Sequence, residues 1–450
     1  MVIGKYVLLI GMIGCASCSP RIGITLPGEK IVSRGTQWVR SHPFHLSALS
    51  SWADGKLWDA DQYRGGGFNT LMVWDPWKTL FQRSADAGLP FHYNVHHRHG
   101  ETPEDYVQHV RKIVEKYPGC TGLLVHDEPV LWQLEKVRKV CDALKQAFPE
   151  ILVYSNALPM GARRATKYGF ETEENAPEDF YNVYFDQFAE VVNGDVLMVD
   201  IYPINTGHSP LYFSNLEIVR RKGLELGIPY WLFIQSWDRG GDGKPSESDL
   251  RFQLFALLAY GFKGISYFTY EPLRGTGLTD GESQPTELYY HAARANREVG
   301  NLGQTLRFLV SSGVGFVAGR HGHDGQVYSH PIPSGMRSWD SLPTRPRQLL
   351  GITLEDQGRG KDAIFATFED DQGHDYFMVV NLWHHHKMSS AQTAQSVSLH
   401  FNPKVKSVTR LSRETAMRET LVVRNGVLQL KLSGGTGDLF KLHDEPFPGL

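Results

Sequence analysis

The stretch Gly122-Leu-Leu-Val-His-Asp-Glu-Pro129 decides how the first two thirds of the chain read. A short apolar run meets three polar residues, and the proline after them suits the first turn of a helix. This is the pattern of a buried strand that delivers acids to a strand-to-helix turn. Working outward, the same grammar repeats. Runs rich in β-branched, aromatic and leucine residues occupy Pro43–Leu49, Asn69–Trp74, Pro90–His96, Gly122–His126, Ile151–Asn156, Val196–Tyr202, Tyr230–Gln235 and Gly264–Tyr270. Each reads as a parallel strand buried on both faces.

Helix signals lie between the runs. Thr102-Pro-Glu-Asp105 offers an N-cap, a first-turn proline and first-turn acids ahead of Tyr106–Lys116. Apolar residues recur at helical spacing across Val130–Phe148, Asp179–Val192, Leu216–Leu226, Asp249–Tyr260 and Leu288–Leu309, and Ser246 with Asp249 forms a capping-box pair. Glycine just ahead of a strand, at Gly88, Gly227 and Gly261, is helix C-cap chemistry. Eight strands, each followed by helical sequence, predict a (β/α)₈ barrel over residues 35–311. A doubly wound open sheet is the alternative. It usually has fewer strands and often a glycine-rich phosphate loop, and Gly65-Gly-Gly67 and Gly240-Gly241 do not sit at such a turn.

Past residue 311 the character changes. A Gly/His/Pro/Ser-rich linker (Gly319–Pro346) leads to alternating runs at Ala363–Phe368, Tyr376–Leu382, Ser396–Phe401, Val405–Leu411, Leu421–Val423 and Val427–Leu432. Asn425-Gly426 between the last two is a hairpin signal. Residues 312–450 are expected to form a linker and a small antiparallel β-sandwich that braces the barrel. His384-His-His386 is expected in a solvated turn. No internal repeat is evident.

The 450 residues are 41% hydrophobic and 12% aromatic, with a net charge of −3 and no Lys/Arg block, which argues against a nucleic-acid partner. Lys5 precedes the apolar run Tyr6–Gly14, long enough for a signal-peptide core and too short to span a bilayer. Residues 1–20 are therefore expected to direct export. Cys15 and Cys18 follow small residues and resemble a bacterial lipoprotein signal, so a lipid on one of them is the only membrane attachment expected. Export would place the protein in the periplasm or on the outer-membrane or cell surface. Cys120 and Cys141 are expected as free thiols, since no metal-type cysteine spacing is present.

Barrel enzymes carry their chemistry at the C-terminal ends of the strands. Here those ends hold Trp74-Asp75, His96-His97, His126-Asp127-Glu128, Asn156, Asp200-Ile-Tyr202, Gln235-Ser-Trp237 and Tyr270-Glu271. Glu128 stands out: a carboxylate beside an apolar, aromatic-lined site can hold a proton for a leaving group. Helix capping is the competing role, and it fits Asp127 better. Trp74, Tyr202, Trp237 and Tyr270 are candidates to stack on sugar faces. Asp75, His96, His97, Asp127, Asn156 and Gln235 are candidates to bond hydroxyls. Neighbouring histidines on a strand face opposite ways, so no metal is expected at His96-His97-Arg98-His99.

The chain resembles clan A-type glycoside hydrolases and their β-galactosidase-like relatives. The likeness is carried by Glu128 ending strand four, Val199-Asp-Ile-Tyr-Pro203, Phe233-Ile-Gln-Ser-Trp237, Leu258–Tyr270 and the closing Gly434–Lys441. It implies cleavage of glycosidic bonds in oligo- or polysaccharides, with Glu128 as acid/base and no cofactor. One departure matters. The group's nucleophilic glutamate ends strand seven, where this chain has Gln235. The second carboxylate is then expected to be Glu271 first, Asp200 second and Asp75 third. A separation of about 5 Å would imply retention and about 6.5–9.5 Å inversion. The rival reading is a non-catalytic surface glycan-binding protein on the same barrel.

Overall fold

The computed structural model describes residues 32–50, 55–96, 100–161, 165–172, 178–204, 209–237, 244–272, 277–323 and 326–450. Eight strands, β1 (His45–Ser50), β2 (Thr70–Val73), β3 (Phe91–Val95), β4 (Cys120–Asp127), β5 (Leu152–Ala157), β6 (Leu197–Asp200), β7 (Tyr230–Gln235) and β8 (Gly264–Phe268), close into a barrel. Every pair in it is parallel, including β8 with β1. One helix, α1 (Arg34–Ser41), precedes the barrel, and one helix follows each strand. These are α2 (Ala60–Gly65), α3 (Lys78–Asp86), α4 (Pro103–Lys116), α5 (Leu134–Ala147), α6 (Glu178–Val191), α7 (Tyr212–Leu226), α8 (Glu247–Tyr260) and α9 (Glu287–Leu306). The local chemistry is as the sequence reads: capping boxes start α4 at Thr102/Asp105 and α8 at Ser246/Asp249, and left-handed Gly227 and Gly261 close α7 and α8.

Inside the barrel, alternate side chains fill the lumen in layers. The floor is aromatic. Trp38 from α1 packs beneath Trp231, and the His45 ring stacks on Trp231 at 4.2 Å and on His92 at 4.7 Å. Gly122 on β4 makes room for this: a Cβ there would lie 2.5 Å from the His92 ring. The sequence reading did not anticipate α1 or its plugging tryptophan. Both His45 and His92 are fully buried, and desolvation drives His45 down to about 3 and His92 well below the usual histidine range.

The chain continues as β9 (Val310–Val317), β10 (Arg320–His323), β11 (Gln326–Ser329), β12 (Arg337–Ser338), β13 (Leu349–Leu354), β14 (Ala363–Glu369), β15 (Asp375–Asn381), β16 (Gln395–Phe401), β17 (Ser407–Leu411), β18 (Arg418–Val422), β19 (Val427–Leu432) and β20 (Gly437–Lys441). A seven-stranded sheet, β12-β9-β14-β15-β20-β17-β18, faces a three-stranded one, β13-β16-β19. Phe365, Phe377, Val379 and Phe440 join Val397, Leu399 and Leu430 in the core between them. The opposite face of the large sheet, through Ile364, Phe368, Met378 and Leu439, belongs to the barrel's own hydrophobic cluster. Helix α8 lies between barrel and sheet, so all fourteen of its residues are buried. Its buried polar residues are paired in place: Asp249 with His384, Arg251 with Glu298 and Gln253 with the Gln235 backbone.

Three expectations are corrected here. The stretch expected as a linker contains the β10–β11 hairpin and β12, and β12 runs parallel to β9. Asn425 and Gly426 do form the tight turn, with φ of 51° and 78°, yet the strands on either side diverge into different sheets and share only the Arg424–Val427 bridge. The triple histidine is not a bare solvated turn: His384 Nδ1 lies 2.6 Å from Asp249 Oδ1 and its ring stacks on Phe252. Cys120 and Cys141 are free thiols.

Candidate active site

The acids at the end of β4 owe their aim to backbone irregularity. Pairing with β5 slips between Leu124 and Asp127, and both His126 (φ 62°) and Glu128 (φ 50°) take left-handed conformations. In a regular strand Asp127 and Glu128 would point to opposite faces. A bulge and two costly φ values re-aim them, the kind of strain that gathers at functional sites. The surroundings hold this path in place. Glu128 N donates to Asn156 O (2.9 Å), Ser155 Oγ to His126 O (2.8 Å), and Tyr184 Oη from α6 to Pro129 O (2.9 Å).

Asn156, at the end of β5, joins three strands. Its Nδ2 donates to Asp127 Oδ1 (2.9 Å) and to Asp200 Oδ1 (3.0 Å), while its Oδ1, although the residue is 2% exposed, has no hydrogen-bond partner among the described residues. Asp200 also lies close to the Tyr202 hydroxyl and to the Glu128 carboxyl. Burial first, then the neighbouring Asp127 charge, push Glu128 up to about 7, against the pull of Asp200 and Lys167. Burial and the Glu128 and Asp127 charges hold Asp200 well above the usual carboxylate range. Asp127 is also raised, chiefly by burial. Three acids in contact cannot all ionise in a site this dry.

Around the cluster, Tyr202 lies 5.3 Å from Phe268 and 5.8 Å from Trp237, and Trp237 lies 5.8 Å from Phe268, so the three rings form an aromatic corner. Trp74 lies edge-on to His96 and to Phe233, and His96 Nε2 is 3.6 Å from Asp75 Oδ1 in a half-exposed pair on the β2–β3 side. His97 falls outside the described residues.

Other expected residues sit elsewhere. Glu271, the first choice for a second acid, is buried, and its Oε1 accepts from Ser50 Oγ (2.8 Å). The titrating rings beside it are Tyr63 and Tyr270, in the layer between barrel and helices. Tyr270 is 1% exposed, packed on Tyr63 and Phe68, its hydroxyl accepting from Gln62 (3.0 Å). Gln235 is fully buried, with its Oε1 accepting from Ile204 N (3.1 Å) and its backbone clamped by Gln253. A separate cavity of about 430 Å³ opens between α8, α9 and the loop holding His386 and Lys387, and includes none of the three acids.

Sequence reasoning missed Tyr184, Phe268, Lys167 and Trp132. Only Trp132 carried a visible signal: it follows Glu128 by four residues in a strand-to-helix turn and is 75% exposed.

No family model matches the chain, and neither does any curated protein. Solved structures do. A protein described as a glycoside hydrolase is similar at 12% identity and a TM-score of 0.47, covering 88% of this chain and 92% of its own. The endo-β-1,4-mannanase of Thermotoga petrophila is similar at 10% identity and a TM-score of 0.42, covering 88% and 98%. The β-galactosidase of Marinomonas ef1 is similar at 13% identity and a TM-score of 0.44, over 60% of this chain and 62% of its own.

Chemically the cluster can hold and release a proton near neutral pH, at a surface rich in acceptors and flanked by aromatic rings. Among the described residues no group of His, Cys, Asp and Glu has the arrangement of a metal site.

Proposed function

We propose that the chain hydrolyses glycosidic bonds, with Glu128 giving its proton to the departing oxygen and taking one back from water. The single observation that carries this reading is the cluster of Asp127, Glu128 and Asp200 at the ends of β4 and β6: Asn156 Nδ2 ties Asp127 to Asp200 at 2.9 and 3.0 Å, and burial, then the Asp127 charge, raise the Glu128 carboxyl to about 7. Asp200, rather than Glu271 or Asp75, is the acid that modulates it. Asp127, Asn156, Tyr202, Trp237 and Trp74 are the groups proposed to receive the sugar, with Trp132 offering an exposed apolar face to the rest of a longer glycan. Export by the N-terminal segment remains part of the proposal, since a polymer substrate would be met outside the cell.

The test is turnover of a panel of defined oligosaccharides and aryl glycosides by wild type and by Glu128→Gln. Loss of cleavage in the variant on at least one cleaved substrate supports the reading. Unchanged cleavage would remove Glu128 from the chemistry. The engagement of Gln235 by the Ile204 backbone favours the rival reading, a barrel that only binds glycans. Glycan binding with no cleavage by wild type would establish it.

A further inference from the structure

The loop between β15 and β16, residues 382–394, is built onto the first turn of α8. His384 Nδ1 lies 2.6 Å from Asp249 Oδ1, and His385 N donates to Ser248 Oγ (3.1 Å). Ser248 Oγ donates to Met388 O (2.9 Å), and Ser390 N to Glu247 Oε2 (3.3 Å). From the other side Arg294 of α9 reaches Glu247 Oε1 at 3.3 Å. Three elements are thereby held around the cavity of about 430 Å³, a volume typical of small-molecule sites. Its polar lining carries both signs: Lys244 and Lys387 stand with Glu247 and Glu287 and with two imidazoles, His291 and His386. Leu288 and Met388 add apolar surface. His386 is the informative residue. Both of its ring nitrogens are shielded from solvent, and neither has a hydrogen-bond partner among the described residues.

This lining selects among ligands. A neutral imidazole offers one N–H and one lone pair, so its two nitrogens ask for an acceptor and a donor at once. A hydroxyl is both. Lysines donate and carboxylates accept, so the several hydroxyls of one ligand find partners of each kind. A bare anion would meet Glu247 and Glu287 as well as the lysines, and a bare cation would meet Lys244 and Lys387 as well as the carboxylates. We propose that this cavity is a second, non-catalytic binding site for a neutral sugar of one or two pyranose units. His386, Lys244 and Glu287 bond its hydroxyls, and its C–H face packs on Leu288 and Met388. The choice of a sugar among polyhydroxylated compounds rests on the glycosidase reading. None of the three acids lines the cavity, so a glycan is held there without being cut. The first turns of α8 and α9 follow β7 and β8, at the end of the barrel that carries the acids. A long glycan anchored in the cavity is therefore kept at high local concentration near the barrel mouth.

The experiment is isothermal titration of the full chain with cellobiose, mannobiose, lactose and maltose, in the Glu128→Gln background so that no sugar is consumed. Two variants probe the cavity. His386→Phe keeps a ring and removes both nitrogens. Gln392→Trp, at an exposed lining position, fills the space and reads the cavity should the first variant fail to fold. The expected result is that at least one disaccharide binds and that both variants weaken this binding at least about tenfold, the loss of one or two neutral hydrogen bonds. Binding that neither variant weakens, or no binding of any of the four, would overturn the inference. So would a rise in Tm with inorganic phosphate or citrate that His386→Phe abolishes, in the absence of sugar binding, since that marks an anion site. In each of these cases, cleavage of glycosides by the wild type would leave the glycosidase reading standing. Sugar binding that depends on His386, with no cleavage of any glycoside by the wild type, would keep this site and overturn that reading.

Discussion

Asn156 Nδ2 stands 3.0 Å from Asp200 Oδ1 across the β5–β6 boundary and, through the same nitrogen, 2.9 Å from Asp127 Oδ1 across β4–β5. One amide thus sets the spacing of two acids from two other strands. Removing it should loosen both without touching the proton donor itself. Asn156→Ala is expected to lower kcat about 10²-fold, the scale of an ångström-sized misplacement, while KM changes less. A change confined to KM would mean that Asn156 binds sugar and does not position the acids.

The pH profile should report the Glu128 proton. The free enzyme's kcat/KM is expected to decline on its alkaline side near pH 7, where Glu128 ionises. The Asp127 charge is one of the causes that raise that value, so Asp127→Asn should move the alkaline limb to lower pH. A limb that stays in place would show that burial alone sets the Glu128 proton affinity.

The same raised affinity makes the site a stability liability at high pH. The folded protein keeps a proton on Glu128 that the unfolded chain releases above about pH 4.5, its ordinary value. The stability contributed by this carboxyl is therefore complete below pH 4.5 and is lost as pH rises through about 7. Glu128→Gln should stabilise the protein at pH 8 by on the order of 2 kcal/mol, and much less at pH 4.5. Thermal scans at the two pH values check this. Equal Tm shifts at both would contradict it.

Barrel and sandwich are joined by ions as well as by α8. Arg413 Nη1 reaches both oxygens of the fully buried Asp438 at 2.9 Å, and its Nε reaches Glu298 of α9 at 3.0 Å, where Arg251 of α8 also binds at 2.8 Å. Arg413→Ala would leave the buried Asp438 carboxylate with Arg410 Nη1 at 3.2 Å as its remaining cationic partner, at a cost of about 1.5–3 kcal/mol for the lost charged hydrogen bonds. Unfolding should move to lower temperature and divide into two transitions as the units uncouple. A single transition at the wild-type Tm would show that the apolar seam suffices.

Much of the barrel was legible because buried parallel strands are continuous apolar runs, and because caps such as Thr102/Asp105 and Gly227 act locally. Glu128 was legible for the same reason: it ends a strand of this kind and precedes a proline. The choice among second acids was not. Whether a residue past a strand end faces the lumen depends on the path of the chain, and the β4 bulge with two left-handed residues leaves no trace in composition. Glu271 and Asp200 look alike in the sequence, yet the first turns to Ser50 and the second to Glu128. Asn425-Gly426 teaches a related lesson, since a turn motif sets four residues and says nothing of which sheets its arms join.

The most direct measurement compares wild type with Glu128→Gln on two glycosides of the sugar that the wild type cleaves, one with a poor alkoxide leaving group and one with a 2,4-dinitrophenolate. A proton donor is needed for the first and hardly for the second. The expected result is a loss of about 10²–10⁴-fold on the poor leaving group and a far smaller one on the good leaving group. Equal losses on both, or none on either, would contradict a proton-donating Glu128.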